Sequence, residues 1–186
     1  DVPVVQMDSV IGNKSGKVLL TMFSRNTNLL LAFLRDHNTA RSVLDVFNDL
    51  YAMFGRETYC RLFPVILTDR GSEFSNPVPI EQDENDELRS LVFYCNPSAP
   101  YQKGGIEVAH ELVRRVLPKG KSFDDLQQED IDLMLSHINS YKRGKLNSRS
   151  AYQLFNFIYG DDILPKLNIR EIEANDIVLS PKLLKK

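Results

Sequence analysis

The stretch RLFPVILTDRGSEF, residues 61–74, decides the fold and places a carboxylate where a buried strand ends. The apolar run up to Leu67 predicts a buried β-strand. Asp69 follows it, and Gly71 comes two residues later. An Asp just before a Gly is common turn chemistry, but a carboxylate at the carboxyl edge of a sheet can also bind a metal ion. The stretch alone leaves both interpretations open.

Length and composition predict an ordinary globular chain. Its 186 residues suffice for one domain with a short appendage, and 42% of them are apolar and 26% charged. The net charge of -2 excludes binding to nucleic acid by bulk charge, so any DNA contact must come from local basic patches. No apolar run approaches the roughly 18 residues of a membrane helix, and no signal-peptide pattern opens the chain, so we predict no membrane association. Two cysteines without a metal-binding spacing favour a reducing, intracellular location.

Hydrophobic periodicity predicts five strands and four main helices. The first three strands are joined by short links, which is typical of an antiparallel meander. A helix from Thr39, its predicted cap, to a stop at Gly55 follows them, and a loop rich in proline and acids separates the last two strands. The predicted strands are 2–11, 17–24, 28–35, 63–69 and 90–96, and the further helices are 105–117, 124–143 and 150–160. This order predicts an α/β fold with one mixed five-stranded sheet flanked by helices on both faces.

Two further acids stand out from this pattern. Asp8 lies inside the apolar first strand, where a carboxylate is costly unless it is paired, protonated or metal-bound, although a strand end or a solvent-facing position is equally compatible with the spacing. Glu107 falls in the first turn of a helix, where the helix dipole favours a carboxylate, so an isolated surface Glu is the simpler interpretation. Taken with Asp69, however, these acids form the kind of set that holds two metal ions for phosphodiester chemistry.

Three blocks of sequence then resemble a known family. MDSVIG (residues 7–12), LTDRGSEF (67–74) and YCNPSAPYQKGGIEVAHELVRR (94–115) look like the catalytic blocks of DDE transposases and retroviral integrases. More narrowly, they are similar to the insertion-sequence transposases of the family numbered thirty. The later segment INSYKRGKLNSRSAYQLF (138–155) resembles the closing block of that family. The resemblance covers residues 3–160 and implies a ribonuclease-H-like fold in which the first and fourth strands are neighbours.

The resemblance also implies roles for individual residues. Asp8, Asp69 and Glu107 would be the catalytic residues and the ligands of two Mg²⁺ or Mn²⁺ ions, with Asp8 bridging both and Glu111 as a fallback third acid. Four basic residues would contact DNA, and Lys103 would do so at a phosphate near the site. They are Lys103, Arg114, Lys142 and Arg143. His110, one turn after Glu107, is expected at the surface more readily than against substrate.

The resemblance implies a bacterial transposase catalytic core that cleaves and transfers DNA strands. Its partners would be the element ends and the target DNA, bound by a homodimer or higher multimer in the cytoplasm at the nucleoid. Residues 1–160 would form the core and 161–186 a C-terminal extension. Because the chain starts at Asp1, an N-terminal DNA-binding region is expected to be missing from this fragment.

Two alternatives stay open. A lapsed DNA-binding or assembly module is suggested by Ile106 and Val108, since the family commonly flanks its Glu with Asn on both sides. A nuclease of the same fold without strand transfer is equally compatible with the sequence. The acidic segment 75–87 is expected to be a solvated loop or a flap near the site.

Overall fold

The computed structural model describes residues 2–96 and 99–184, without the side chains of Pro100 and Lys145. Pro97 and Ser98 of the third motif, and the outer ends of the two predicted domains, lie outside this part of the chain. The strands are β1 (Val4–Ile11), β2 (Val18–Ser24), β3 (Leu30–Arg35), β4 (Val65–Thr68) and β5 (Leu91–Tyr94). The helices are α1 (Ala40–Leu62), α2 (Val78–Glu81), α3 (Gly104–Val116), α4 (Gln128–Ser140), α5 (Ala151–Tyr159) and α6 (Ile163–Lys166).

The five strands form one mixed sheet in the order β3-β2-β1-β4-β5. β1, β2 and β3 are antiparallel neighbours, which confirms the predicted meander. β4 joins β1 in parallel, and β5 joins β4 in parallel. The first and fourth strands are therefore neighbours, as the resemblance implied, and their carboxyl ends meet at one edge of the sheet.

Helices cover both faces of the sheet, as predicted. On one face Val5 of β1 lines a small apolar cavity together with Phe54 of α1 and Phe155 of α5. On the other face the buried Gln6 of β1 meets the first turn of α3, where its Oε1 accepts a hydrogen bond from the Ile106 N–H at 2.8 Å. The alternation of strand side chains thus decides that α3 lies on the same face as Gln6.

Two amide side chains of α4 pair with the free edge of β3. Asn139 accepts from the Leu30 N–H at 2.9 Å and donates to the Leu30 carbonyl at 2.8 Å. Gln128 does the same three turns earlier, accepting from the Leu34 N–H at 2.8 Å and donating to the Ala32 carbonyl at 3.0 Å. An unpaired strand edge invites pairing with other chains, so these contacts both fix α4 and protect the edge.

The first helix departs from the prediction at its end. Thr39 caps it as expected, accepting from the Ser42 N–H at 3.1 Å. Gly55 interrupts the helical geometry where the stop is predicted, with φ 72° and ψ 165°, but the chain resumes helical geometry after this kink and continues to Leu62. Glycine tolerates this positive φ, and burial of Tyr59 beyond the kink stabilises the second segment.

Two other boundaries also differ. The predicted start of α4 near Asp124 is wrong, because the Asp124 carboxylate accepts from the Lys17 N–H at 2.8 Å and is thereby held at the turn before β2. The helix begins instead at Gln128, after the cap residue Gln127. The segment 75–87 was predicted as a loop, and it contains the single-turn helix α2.

The chain after α5 packs along α4. The Ser136 and Ser140 hydroxyls accept from the N–H groups of Arg170 and Ile172 at 3.1 and 2.9 Å. Buried apolar side chains from this segment join the common core: Ile163, Leu164, Leu167, Ile169 and Leu184. The division into a core and an extension stays a prediction. None of the helices within the described part of the chain is both long and apolar enough to span a membrane.

Candidate active site

Asp8 and Asp69 meet at the carboxyl edge of the two central parallel strands. In the register of β1 and β4, Gln6 lies opposite Leu67. Asp8 follows Gln6 by two residues, and Asp69 follows Leu67 by two, so both carboxylates emerge at the same level of the sheet. The apolar pattern of β4 fixes this position, because burial of Ile66 and Thr68 orients the strand that Asp69 terminates.

The two carboxylates converge on one buried cation, the ammonium group of Lys103. Lys103 Nζ lies 3.0 Å from Asp8 Oδ2 and 3.2 Å from Asp69 Oδ2. The lysine side chain is only 8% exposed, compared with 26% for Asp8 and 51% for Asp69. Two adjacent carboxylates repel each other, and burial of an ammonium group without a partner is costly. The ion pairs between Lys103 and the two aspartates offset both costs.

The second oxygen of each carboxylate is held by the backbone. Asp8 Oδ1 accepts from the Ser9 N–H at 2.8 Å, and Asp69 Oδ1 accepts from the Gly71 N–H at 3.0 Å. Asp69 therefore does both things that the sequence allowed: Oδ1 makes an Asp turn, and Oδ2 faces a cation. Fixing Oδ1 in this way aims both Oδ2 atoms at the same point.

A polar network around the buried Arg35, which sequence reasoning missed, supports this end of the sheet. Glu73 Oε1 accepts from Ser9 Oγ at 2.8 Å and from Asn38 Nδ2 at 3.2 Å. Arg35 donates to Ser9 Oγ at 3.2 Å and to Asn38 Oδ1 at 2.9 Å. Burial lowers the pKa of Arg35 to about 10, although Glu73 acts to raise it. Glu73 belongs to the quoted TDRGSEF block, and that was the available signal.

His110 lies inside the site rather than at the surface. Its Nε2 is 2.8 Å from Thr21 Oγ1, and that hydroxyl donates to the Asp8 carbonyl at 3.0 Å. Because a hydroxyl has one proton to give, His110 Nε2 must be the donor in its contact with Thr21. Burial lowers the pKa of His110, while Asp8 acts to raise it. The neutral imidazole thus anchors α3 to β2 beside Asp8.

Glu107 is not gathered with the two aspartates. It lies exposed in the first turn of α3 and has no hydrogen bond or ion pair to any described residue. Within residues 2–96 and 99–184, no group of three or more His, Cys, Asp or Glu side chains is close enough to hold a metal ion. The neighbour Ile106 is fully buried in the core, which explains an apolar residue at that position without reference to activity.

The four predicted DNA contacts have different surroundings. Lys103 faces the aspartates, and Arg114 donates to the Ile11 carbonyl at 3.1 Å while its Nη1 is buried without a described partner. Arg143 is half-buried, and this burial lowers the pKa of its guanidinium group. Within the described residues its Nε and Nη2 have no hydrogen-bond partner. Lys142 is exposed and shares a groove with Arg115, which the sequence reasoning did not single out.

Comparison with known proteins agrees with this architecture. The candidate integrase ORF3 of Spiroplasma virus SpV1-R8A2 B is 28% identical over 151 residues, which cover 81% of this chain and 45% of that protein. The transposase of element IS4351 from Bacteroides fragilis is 23% identical over 151 residues, covering 81% and 44%. The transposase InsI of element IS30A from Escherichia coli K12 is 22% identical over 147 residues, covering 79% and 36%. The chain is a relative of integrases and insertion-sequence transposases.

These relatives are longer than the chain, which spans less than half the length of each of the three. Among solved structures, the catalytic core of the BIV integrase superposes with a TM-score of 0.54 at 21% identity, covering 84% of this chain and 92% of that one. A chain of the simian T-cell lymphotropic virus intasome in complex with PP2A regulatory subunit B56 gamma superposes with a TM-score of 0.59 at 17% identity, covering 91% of this chain and 58% of that one. No protein-family model matches the chain. The integrase-core, ribonuclease-H-like fold is thereby confirmed.

Proposed function

We propose that the chain is the catalytic core of a bacterial insertion-sequence transposase that cleaves and transfers DNA strands in a metal-dependent reaction. The observation that carries the proposal is the convergence of Asp8 Oδ2 and Asp69 Oδ2 on a single cation, at 3.0 and 3.2 Å. Two carboxylate oxygens aimed at one point are a donor set that suits Mg²⁺ or Mn²⁺. The relationship to transposases supports the assignment of DNA as substrate.

The residues present fit such an ion in part. Asp8 and Asp69 would hold it, and Glu107 would be supplied from the first turn of α3 when DNA is bound. When bound, two divalent ions supply Lewis acidity and a water of lowered pKa. The protein positions the ligands: the backbone N–H groups of Ser9 and Gly71 hold the carboxylates in place, and His110 fixes α3 against β2.

DNA would approach from the side of α3 that carries Glu107. Arg114, Lys142 and Arg143 are proposed to contact its phosphates, and the buried guanidinium nitrogens of Arg143 that lack a described partner support an anionic ligand there. Phosphate contacts of this kind position the duplex and carry no sequence information. Recognition of the element ends is assigned to an N-terminal region of the full protein.

We also propose that the active species is a multimer acting on DNA in the bacterial cytoplasm. The solved relative within an intasome supports multimeric action, and the transposases of Bacteroides fragilis and Escherichia coli support a bacterial setting. Residues 1–160 are proposed as the core and 161–186 as its extension.

The first test is nicking of supercoiled plasmid DNA in Mn²⁺ by the wild type, Asp69→Asn and Asp45→Asn. Asp45 is the matched control, because its side chain is 51% exposed, as is that of Asp69, yet it lies on α1. We expect the wild type and the control to nick. Since a bound ion stabilises the transition state by several kcal/mol, Asp69→Asn should be at least about 100-fold slower. Equal rates for the wild type and Asp69→Asn would contradict the proposal.

One observation favours a second candidate, the lapsed assembly module. Glu107 stands apart from the aspartates, and Lys103 lies between them. A wild type that binds plasmid DNA but never nicks it, in Mg²⁺ or Mn²⁺, would favour this candidate. If nicking occurs, joining of a labelled 3′-hydroxyl oligonucleotide to the plasmid separates a transposase from a nuclease.

A further inference from the structure

Lys103 occupies the point on which the two aspartates converge. We propose that Lys103 is a built-in competitor for the divalent ion: its ammonium group is ion-paired with Asp8 and Asp69 in the metal-free protein and must leave them when metal binds. This inference rests on the proposed function, since it concerns the same carboxylates. It assigns to Lys103 a role in addition to the phosphate contact predicted from the sequence.

The contacts make the competition direct. Lys103 Nζ uses Oδ2 of both aspartates, and the backbone N–H groups of Ser9 and Gly71 already use both Oδ1 atoms. A divalent ion would need the same Oδ2 atoms that the ammonium group now uses. At such short range an ammonium group and a divalent cation repel each other strongly, so both cannot occupy the point together. Metal binding therefore includes the free energy of displacing the lysine.

The backbone that carries Lys103 is fixed, so the side chain alone has to move. Gln6 Nε2 donates to the Gln102 carbonyl at 2.8 Å, and Gln6 Oε1 accepts from the Ile106 N–H at 2.8 Å. Gln6 is buried in β1, and it thereby clamps the residues on both sides of Lys103 to the sheet. Rotation about the side-chain bonds of Lys103 is the remaining way to release the carboxylates.

Displacement would also couple the metal to DNA. The released ammonium group lies at the start of α3, beside the face that carries Glu107, and is free to bind a phosphate there. Since coupling between two ligands is reciprocal, DNA that captures Lys103 would raise the affinity for metal by the same factor that metal raises the affinity for DNA. The ion pairs of Lys103 therefore weaken metal binding when DNA is absent, and a phosphate that holds the released ammonium group removes this competition.

The test is titration with Mn²⁺ by calorimetry of the wild type, Lys103→Gln and Lys119→Gln, without DNA. Lys119 is an exposed lysine in the loop after α3 and serves as the matched control. We expect Lys103→Gln to bind Mn²⁺ about 5- to 150-fold more tightly than the wild type, the usual range for coupled sites. The control should match the wild type. Equal or weaker binding by Lys103→Gln, beside measurable wild-type binding, overturns the inference and leaves the proposed function standing.

A second measurement needs no substitution at the site. Amine labelling of the wild type by reductive methylation, read by mass spectrometry, should modify Lys103 slowly without metal, because its side chain is 8% exposed and ion-paired. Mn²⁺ at saturating concentration should speed labelling of Lys103 and leave Lys119 unchanged. Labelling of Lys103 that does not rise while calorimetry shows the site filled overturns the inference. Failure of both the wild type and Lys103→Gln to bind Mn²⁺, even after plasmid DNA is added, overturns the proposed function and the inference with it.

Discussion

Replacing Gly105 by Ala tests how closely α3 must approach the sheet. A Cβ built at Gly105 would lie 2.5 Å from Phe23 Cε1 and 3.0 Å from Gln6 Oε1. Both neighbours are buried, with exposed fractions of 3% and 2%, so neither can swing away into solvent. Overpacking of this kind costs about 1–3 kcal/mol, whereas Gly to Ala within a helix gains about 1 kcal/mol. We therefore expect a net loss of up to about 2 kcal/mol in the free energy of unfolding.

Gly104→Ala is the matched control, because nothing lies within 4 Å of a Cβ at that position. It should raise the free energy of unfolding by about 0.5–1 kcal/mol, because alanine has a higher helix propensity than glycine and meets no close contact here. Urea denaturation of the three proteins measures both values. If Gly105→Ala proves as stable as Gly104→Ala, the close contact of α3 with β1 and β2 is not as described.

Three further outcomes are expected. Asn139→Ala leaves the N–H and carbonyl of Leu30 without their partner, so urea denaturation should show a loss of about 2–4 kcal/mol; a loss below about 1 kcal/mol would contradict the edge-pairing role. His137 Nδ1 accepts from the Val178 N–H at 3.0 Å, and burial lowers the pKa of His137 from 6.5. The unfolded chain therefore takes up this proton first, and stability should fall as the pH drops below 6.5, with a smaller fall in His137→Gln. Glu107→Gln should leave stability within about 0.5 kcal/mol because the side chain is exposed, yet slow plasmid nicking; unchanged nicking would remove Glu107 from the reaction.

Strands and helices were predictable where periodicity was strong. The meander, the placement of β1 beside β4 and the cap at Thr39 all follow from local pattern or from the motif resemblance. Gly55 shows the limit of local pattern, since a glycine that can end a helix can also kink one when the next turn has a buried face. Local pattern also failed to predict that apolar side chains of residues 163–184 join the core. Short apolar pairs are buried only where another part of the fold offers a surface, and the local sequence does not show that surface.

The two aspartates of the site were predictable as residues, but the side-chain contacts that they make were not. The family resemblance implied that Asp8 and Asp69 would meet, and in the structure the two strands that carry them are parallel neighbours whose carboxyl ends share an edge. It could not show that Lys103 would lie between them, because a lysine side chain reaches in several directions from one backbone position. The hydrogen bond between Ser9 and Glu73 was not predictable either. The sequence shows that the motif contains this Glu, but not which side chain it contacts.

The most direct test of the metal site is anomalous diffraction from crystals of the wild type grown with Mn²⁺. We expect an anomalous peak bound by the carboxylates of Asp8 and Asp69, with the Lys103 ammonium group moved away from both. A peak elsewhere, or none while Lys103 stays between the aspartates at saturating Mn²⁺, would contradict a metal-dependent active site at this edge of the sheet.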